Sequence, residues 1–181
     1  MLSLCVFCGS RKGVNPAHAR AAAELGRVIA RNGWRLVYGA GDVGLMGEVA
    51  AAAHKSGAEL LGVIPIHLLG RESQKQAVRD MVVTEDMHER KKVMFMNSDA
   101  IAVLPGGAGS LDEFFEVLTW AQIGLHRKPV FLIDVEGYWQ PLLALIEHVI
   151  AEGFADPTLK GHFAAVPDVA SFEALMLVHN P

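Results

Sequence analysis

A glycine-rich segment that ends in two acidic residues carries the clearest chemical signal in the sequence. Its sequence is P-G-G-A-G-S-L-D-E over residues 105–113, between an apolar run of strand length and a helix-length segment. Its three glycines let a ligand approach the backbone closely, and free N–H groups at the start of a helix bind anions. No lysine follows the glycines, so this is not a Walker-type nucleotide loop. We predict that it holds an anionic ligand and that Glu113 faces a positive charge developing there.

The same residues also permit a purely structural interpretation. Ser110 and Glu113 have the spacing of a capping box, with Ser110 as the N-cap and Glu113 as the third helical residue. The helix dipole stabilises the charged form of a carboxylate in that first turn. Because the acid also lies beside a glycine-rich anion site, we favour a ligand-facing role and expect Glu113 to be permanently ionised.

A second glycine-rich segment, G-A-G-D-V-G over residues 39–44, matches the dinucleotide fingerprint and lies between a strand and a helix. That fingerprint needs an acid at the end of the following strand, whereas Glu59 begins that strand. A nicotinamide cofactor is therefore disfavoured, and a tight turn or a phosphate contact remain as interpretations. We include Gly41, with Gly9 and Ser10 after the first strand, among the candidate ligand contacts.

A charged segment, D-M-H-E-R-K-K over residues 86–92, begins the helix after the fourth predicted strand. A solvated helical face capped by Asp86 and Glu89 would by itself explain this composition. Arg90 lies near the helix start, however, where its guanidinium can point toward the same edge as Glu113. We therefore predict that Arg90 and Glu113 belong to one site.

The cysteines and histidines do not have the spacing of metal ligands. Cys5 and Cys8 form a lone C-x-x-C with no second pair, and the eight histidines show no ligand spacing. Cys5 lies within a strand-like run, whereas a thioredoxin-type pair would open a helix. We predict two buried thiols, no metal and no organic cofactor.

Apolar runs of strand length alternate with amphipathic helical segments along the chain. The predicted strands are Leu2–Phe7, Arg35–Tyr38, Glu59–Ile64, Met81–Thr84, Ala100–Leu104, Val130–Ile133 and Phe163–Val166. The predicted helices are Pro16–Asn32, Gly44–Ser56, Asp86–Asn97, Ser110–Ile123, Tyr138–Glu152 and Ser171–His179. The polar segment Pro65–Val78 breaks this alternation and is predicted to be a mobile loop.

This alternation predicts an α/β fold in one domain over residues 1–181. Several strands are apolar throughout, as expected when helices cover both faces of a parallel sheet. We predict a doubly wound parallel sheet, Rossmann-like, in a three-layer αβα arrangement. Ligands bind such sheets outside the carboxyl ends of the strands, which is where the glycine-rich segments lie.

Composition limits the classes of partner. The chain has 181 residues, 51% of them hydrophobic, and 16 Lys+Arg against 20 Asp+Glu give a net charge of −4. This mild acidity argues against binding to nucleic acid or to a membrane surface. No stretch approaches the ~20 apolar residues of a membrane span, and the N-terminus lacks the basic region of a signal peptide. We expect a cytoplasmic protein with a small acidic ligand.

These segments together resemble the Lonely Guy family, the cytokinin riboside 5′-monophosphate phosphoribohydrolases, often mislabelled as lysine decarboxylases. The family signatures are an Arg-Lys pair that opens a helix and a P-G-G-x-G-T-x-x-E loop. They correspond here to Arg90-Lys91 and to residues 105–113. The similarity extends from V-F-C-G-S at 6–10 through T-W-A-Q-I-G at 119–124 to Trp139.

The resemblance implies that Arg90 and Glu113 are the catalytic pair, that Lys91 helps to hold the nucleotide, and that Glu72 and Thr119 line the site. The implied binding residues of the glycine loop are Gly106, Gly107, Ala108, Gly109, Ser110, Leu111 and Asp112. The implied reaction is hydrolysis of the N-glycosidic bond of a purine nucleoside 5′-monophosphate to free base and ribose 5-phosphate. Whether the substrate is AMP or a cytokinin ribotide stays open.

The sequence departs from the family pattern at three places. Ser110 replaces the usual threonine and keeps its hydroxyl, whereas Ala40 adds a methyl group to the usual Y-G-G-G run. The loop around Glu72 is longer than in plant members, which leaves the assignment of Glu72 and the choice of base open.

Two further functions compete with hydrolysis. A non-catalytic nucleotide or molybdenum-cofactor binding protein on a related fold would keep the glycine loops without needing Arg90 and Glu113. A decarboxylase would need a lysine that forms a Schiff base with pyridoxal phosphate, and no lysine stands in a setting that singles it out.

The helix after the glycine loop predicts self-association. The stripe expected to cover the sheet consists of Leu111, Phe114, Phe115, Leu118 and Ala121. Val117 and Trp120 extend the apolar surface onto a second flank, which we expect to pack against the same helix of a second copy in a homodimer. Coverage of this flank by the segment Tyr138–Glu152 is the alternative.

Overall fold

The computed structural model of the protein describes residues 1–69 and 80–179. Glu72 and most of the predicted loop Pro65–Val78 lie outside the described residues. The strands, numbered in chain order, are β1 Ser3–Phe7, β2 Arg35–Tyr38, β3 Leu60–Pro65, β4 Asp80–Thr84, β5 Ala100–Val103, β6 Val130–Ile133 and β7 Ala164–Val166. The helices are α1 Pro16–Arg31, α2 Gly44–Lys55, α3 Met87–Met96, α4 Ala108–Gln122, α5 Gln140–Ala151 and α6 Val169–His179.

All seven strands join one parallel sheet in the order β4-β3-β2-β1-β5-β6-β7. The chain winds outward from β1 in one direction and then from β5 in the other, so the strand order reverses between these two neighbours. Phe7 of β1 is in register with Val103 of β5, which brings the segments that follow both strands side by side. A crevice at the carboxyl ends of such strands is where ligands bind in this class of sheet.

Helices cover both faces of the sheet, which confirms the three-layer prediction. On one face α1, α2 and α6 pack over residues such as Leu4 and Val6. On the other face α3, α4 and α5 pack over Cys5 and Phe7. Successive residues of a strand point to opposite faces, so β1 is apolar throughout because both of its faces are buried. Cys5 and Cys8 are buried free thiols, as predicted.

The start of α4 differs from the capping-box prediction. The N-cap is Gly107 in an extended conformation, and Ser110 is the buried third residue of the helix. Gly106 explains this tight entry, because a Cβ atom there would lie 2.0 Å from the Ser110 Oγ atom. Ser110 therefore packs beneath the glycine loop instead of capping the helix, and Glu113 lies in the second turn.

The prediction of an exposed second flank on α4 is also wrong. Val117 is buried, and the Trp120 ring packs edge-on against Phe95 of α3 with ring centroids 5.0 Å apart. Phe95 of α3 thus covers part of this flank within one chain, and Trp120 is half-buried. The apolar residues of α4 and its C-cap that stay exposed are Phe115 and Ile123.

Within residues 1–69 and 80–179, no helix combines the length and the hydropathy that a membrane crossing requires.

Candidate active site

A cleft of about 820 Å³ opens at the carboxyl ends of the central strands. Its walls come from the segments after β1, β5 and β6 and from the first turns of α1, α2, α3 and α4. This volume lies within the range of small-molecule sites. Of the predicted site residues, the cleft wall contains Gly9, Ser10, Arg90, Gly106, Gly107, Ala108, Gly109, Ser110 and Glu113.

Backbone hydrogen bonds join the glycine-bearing segments into one surface. The Gly9 N–H donates to the Pro105 carbonyl and the Leu45 N–H donates to the Gly9 carbonyl, each over 3.0 Å. Gly44 has φ +66°, and a Cβ there would lie 2.2 Å from the Ser10 carbonyl carbon. The third glycine of the G-x-G-x-x-G segment is therefore needed so that α2 can begin directly against Ser10.

Arg90 reaches the cleft because the start of α3 is fixed by a side-chain cap. The Asp86 carboxylate accepts a hydrogen bond of 2.8 Å from the Glu89 N–H, so Asp86 caps the helix as predicted. Arg90 follows in the first turn of α3 and is only 6% exposed. A solvated helical face and a site residue therefore coexist in this segment.

Two backbone carbonyls hold the Arg90 guanidinium in place. Its Nε donates to the Val63 carbonyl over 3.1 Å, and its Nη2 donates to the Gly39 carbonyl over 2.5 Å. Its Nη1 contacts a weak acceptor, the Met87 sulfur, at 3.7 Å. A Cβ at Gly39 would lie 1.8 Å from Nη2, so the first glycine of the fingerprint makes room for this side chain.

Glu113 lines the same cleft, but its carboxyl group is not the permanent anion that we expected from the sequence. Burial raises the pKa of its carboxyl from 4.5 to about 7, while the positive charge of Arg90 opposes part of that rise. The dipole effect fades beyond the first turn of a helix, so desolvation dominates at this position. Across residues 1–69 and 80–179 the carboxyl has no hydrogen bond or ion pair, and near neutral pH both of its protonation states are populated.

The N-terminus of α4 faces the cleft without a side-chain cap. Its N-cap is Gly107, and no atom lies within 4 Å of where a Cβ would project from Gly107 or Gly109. The first N–H groups of a helix are unpaired within the helix and carry partial positive charge. Arg11 adds positive charge to the cleft wall, whereas the ammonium group of Lys12, which also lines the cleft, is ion-paired with Glu48. This part of the cleft can bind an anion such as phosphate.

Several predicted residues do not reach the cleft wall. The Lys91 Nζ forms ion pairs with Asp112 at 2.9 Å and with Glu116 at 3.2 Å, which joins α3 to α4. Thr119 is exposed on α4. The wall also lacks Gly41 and Leu111, and Glu72 lies outside the described residues.

Tyr138 and His18 are site residues that the sequence motifs did not indicate. The Tyr138 hydroxyl donates to the Gly106 carbonyl over 2.5 Å, and its ring lies edge-on to His18 with centroids 5.3 Å apart. Both line the cleft. The position of Tyr138 shortly after β6, at the ligand-binding edge of the sheet, was the available signal. In the described part of the chain, no three His, Cys, Asp or Glu side chains cluster as a metal site would need.

Comparison of the sequence with known proteins finds a matching family model and relatives that align with nearly the whole chain. Residues 46–176 match a family model described as "possible lysine decarboxylase". The chain is 45% identical to a probable cytokinin riboside 5′-monophosphate phosphoribohydrolase of Oryza sativa subsp. japonica, over 98% of the chain and 76% of that protein. It is 44% identical to a cytokinin riboside 5′-monophosphate phosphoribohydrolase of Arabidopsis thaliana, over 98% and 82%.

Solved structures share the fold at lower identity. The molybdenum cofactor carrier protein of Chlamydomonas reinhardtii has a TM-score of 0.75 and 23% identity, over 98% of this chain and 96% of that chain. The molybdenum cofactor binding protein of Rippkaea orientalis has a TM-score of 0.71 and 20% identity, over 99% and 96%. At these identities the similarity establishes a common architecture and nothing about the ligand.

Proposed function

Because the chain belongs to the family of cytokinin riboside 5′-monophosphate phosphoribohydrolases, we propose that it hydrolyses the N-glycosidic bond of purine nucleoside 5′-monophosphates. The products are the free base and ribose 5-phosphate. The observation that carries this proposal is the placement of Arg90 and Glu113 on one cleft wall, beside the uncapped N-terminus of α4.

The 5′-phosphate binds at the start of α4. The unpaired N–H groups of the first helical turn donate hydrogen bonds to the phosphate oxygens, and the open space beside Gly107 and Gly109 admits these oxygens. Arg11, which also lines the cleft, neutralises part of the phosphate charge. Binding energy from the phosphate, which does not react, holds the sugar in a reactive geometry.

Arg90 acts on the nucleotide through Nη1. Its other two nitrogens are held by backbone carbonyls, so the guanidinium is oriented before the substrate binds. When the bond between C1′ and the purine nitrogen breaks, both electrons remain on the base. A fixed cation stabilises that developing negative charge without reorganisation.

Glu113 acts on the sugar and on the attacking water. Bond cleavage leaves an oxocarbenium-like sugar, which an ionised carboxylate stabilises. The water oxygen then bonds to C1′ and its proton passes to Glu113. The base anion takes a proton from solvent and leaves as the neutral purine, and Glu113 returns its proton to solvent, which restores the carboxylate. A pKa near 7 suits a group that accepts and returns a proton near neutral pH.

A nucleotide panel tests the proposal. Purified protein is incubated with AMP, isopentenyl-AMP, IMP, GMP and the matching nucleosides, and the released base is measured by chromatography. We expect cleavage of 5′-monophosphates and far slower cleavage of nucleosides. Comparison of AMP with isopentenyl-AMP separates a general AMP nucleosidase from a cytokinin-specific enzyme. Nucleotide binding without release of base from any of them would favour a non-catalytic binding protein.

We further propose a cytoplasmic homodimer that pairs the exposed side of α4. Phe115 and the C-cap residue Ile123 are 37% and 64% exposed on that side. Because α4 begins in the cleft, such an interface would lie close to the site. Light scattering should give about twice the chain mass of 19.5 kDa. Ile123→Asp should shift the mass toward the monomer. Val178→Asp should not, because Val178 is an exposed position of α6 away from α4 in the sequence. A monomeric wild-type chain would refute the proposal.

A further inference from the structure

Tyr138 contacts the glycine loop from a different part of the chain. Its hydroxyl donates to the Gly106 carbonyl over 2.5 Å. In the described part of the chain, no other side chain forms a hydrogen bond with Gly106 or Gly107. Tyr138 is therefore the side chain that contacts the peptide group between these two glycines.

The position of Tyr138 is itself fixed by the segment that carries it. The buried Asp134 carboxylate accepts one hydrogen bond from the Trp139 N–H and one from the Gln140 side-chain amide, each over 2.5 Å. Glu136 has φ +54° in the left-handed region, which non-glycine residues rarely adopt. These contacts constrain the backbone that carries Tyr138, and the His18 ring packs edge-on against the Tyr138 ring. Together they hold the Tyr138 hydroxyl on the cleft wall beside Gly106.

The peptide between Gly106 and Gly107 is prone to reversal. A trans peptide is planar, so its carbonyl and its N–H point in opposite directions. A half-turn of that plane would change the φ of Gly107 from −98° to about +80°, which glycine tolerates. The reversed loop would present a carbonyl oxygen where the observed loop presents an N–H, and a carbonyl oxygen repels phosphate.

We propose that Tyr138 is a positioning residue whose hydroxyl keeps the Gly106–Gly107 peptide in its anion-binding orientation. This inference rests on the proposed binding of phosphate at the start of α4. Tyr138 itself takes no part in bond cleavage. Its effect should therefore appear in the affinity for phosphate-bearing ligands and not in the affinity for the free base.

Tyr138→Phe tests the inference because it removes one hydroxyl and keeps the ring against His18. We expect the inhibition constant of ribose 5-phosphate and the KM for AMP to rise about tenfold, the effect of one lost hydrogen bond. The inhibition constant of adenine and the melting temperature should stay near wild type. Equal inhibition of wild type and variant by ribose 5-phosphate would overturn the inference, as would a matching loss of adenine binding.

A second variant tests the peptide reversal itself. Alanine at position 107 fits the observed φ of −98° but resists a φ near +80°. Tyr138→Phe should therefore weaken ribose 5-phosphate binding less than about twofold in a Gly107→Ala background. An equal loss in both backgrounds would overturn the mechanism. Failure of the wild-type protein to bind ribose 5-phosphate would instead refute the proposed phosphate site, and the inference with it.

Discussion

Replacement of Glu113 by glutamine should stabilise the protein while it lowers the activity strongly. The side chain lies in a cleft where burial disfavours its charged form, so its pKa rises from 4.5 to about 7. The folded protein then binds this proton more tightly than the unfolded chain does. Stability therefore falls as pH rises through the window between about 4.5 and 7.

The magnitude follows from the pKa change. At 1.36 kcal/mol per pKa unit, ionised Glu113 costs about 3 kcal/mol of folding free energy at pH 8 and much less at pH 5. Glutamine is neutral at both pH values and has nearly the same size. We expect Glu113→Gln to exceed wild type by about 2–3 kcal/mol at pH 8, or roughly 5–10 °C in melting temperature. The difference should shrink to less than about 1 kcal/mol at pH 5.

The measurement is thermal and denaturant unfolding of both proteins at pH 5 and pH 8, beside the release of base from AMP. Activity should fall by roughly 10²-fold or more, as expected when one electrostatic stabiliser of the transition state is lost. Glu152→Gln is the control, because Glu152 is an exposed carboxylate at the end of α5. It should follow wild type at both pH values.

Two results would refute this reasoning in different ways. If the stability difference between Glu113→Gln and wild type does not depend on pH, burial does not raise the pKa of Glu113 and the electrostatic argument is wrong. If the variant cleaves AMP at nearly the wild-type rate, Glu113 has no part in the chemistry.

Three other outcomes are expected. Gly39→Ala should lower kcat/KM by about 10²-fold or more, because the added Cβ displaces Arg90. Gly161→Ala is the control and should not lower it, since a Cβ there meets no atom within 4 Å. Equal activities of the two variants would contradict the packing argument. Arg90→Lys should lower kcat/KM at least about tenfold, because an ammonium cannot span the two carbonyls and the ligand together; a wild-type rate would show that orientation is unimportant. The pH profile of kcat/KM should fall about tenfold per pH unit below a pKa of about 7 if ionised Glu113 is required. A fall in kcat/KM that begins near pH 6 would instead reflect protonation of the substrate phosphate.

The sequence by itself determined the fold, because the patterns that specify it are local. Every predicted strand and helix agrees with the structure to within two residues at each end. Continuous apolar runs indicate strands buried on both faces, and glycines indicate the turns that follow them. Because ligands bind at the carboxyl ends of parallel strands, these patterns also predicted the edge of the sheet at which the site lies. There the structure places both Arg90 and Glu113 on the cleft wall.

Tertiary structure alone decided what depends on contacts between distant segments. The early start of α4 follows from packing of Gly106 on Ser110, and the coverage of Trp120 comes from Phe95 on another helix. Gly39 accommodates Arg90 from 51 residues away, a relation that no local spacing contains. The raised pKa of Glu113 sums desolvation and charge over all its neighbours. The periodicity of a sequence indicates which residues are buried, but not which groups they contact in the folded protein. Those contacts determine the chemistry of the cleft.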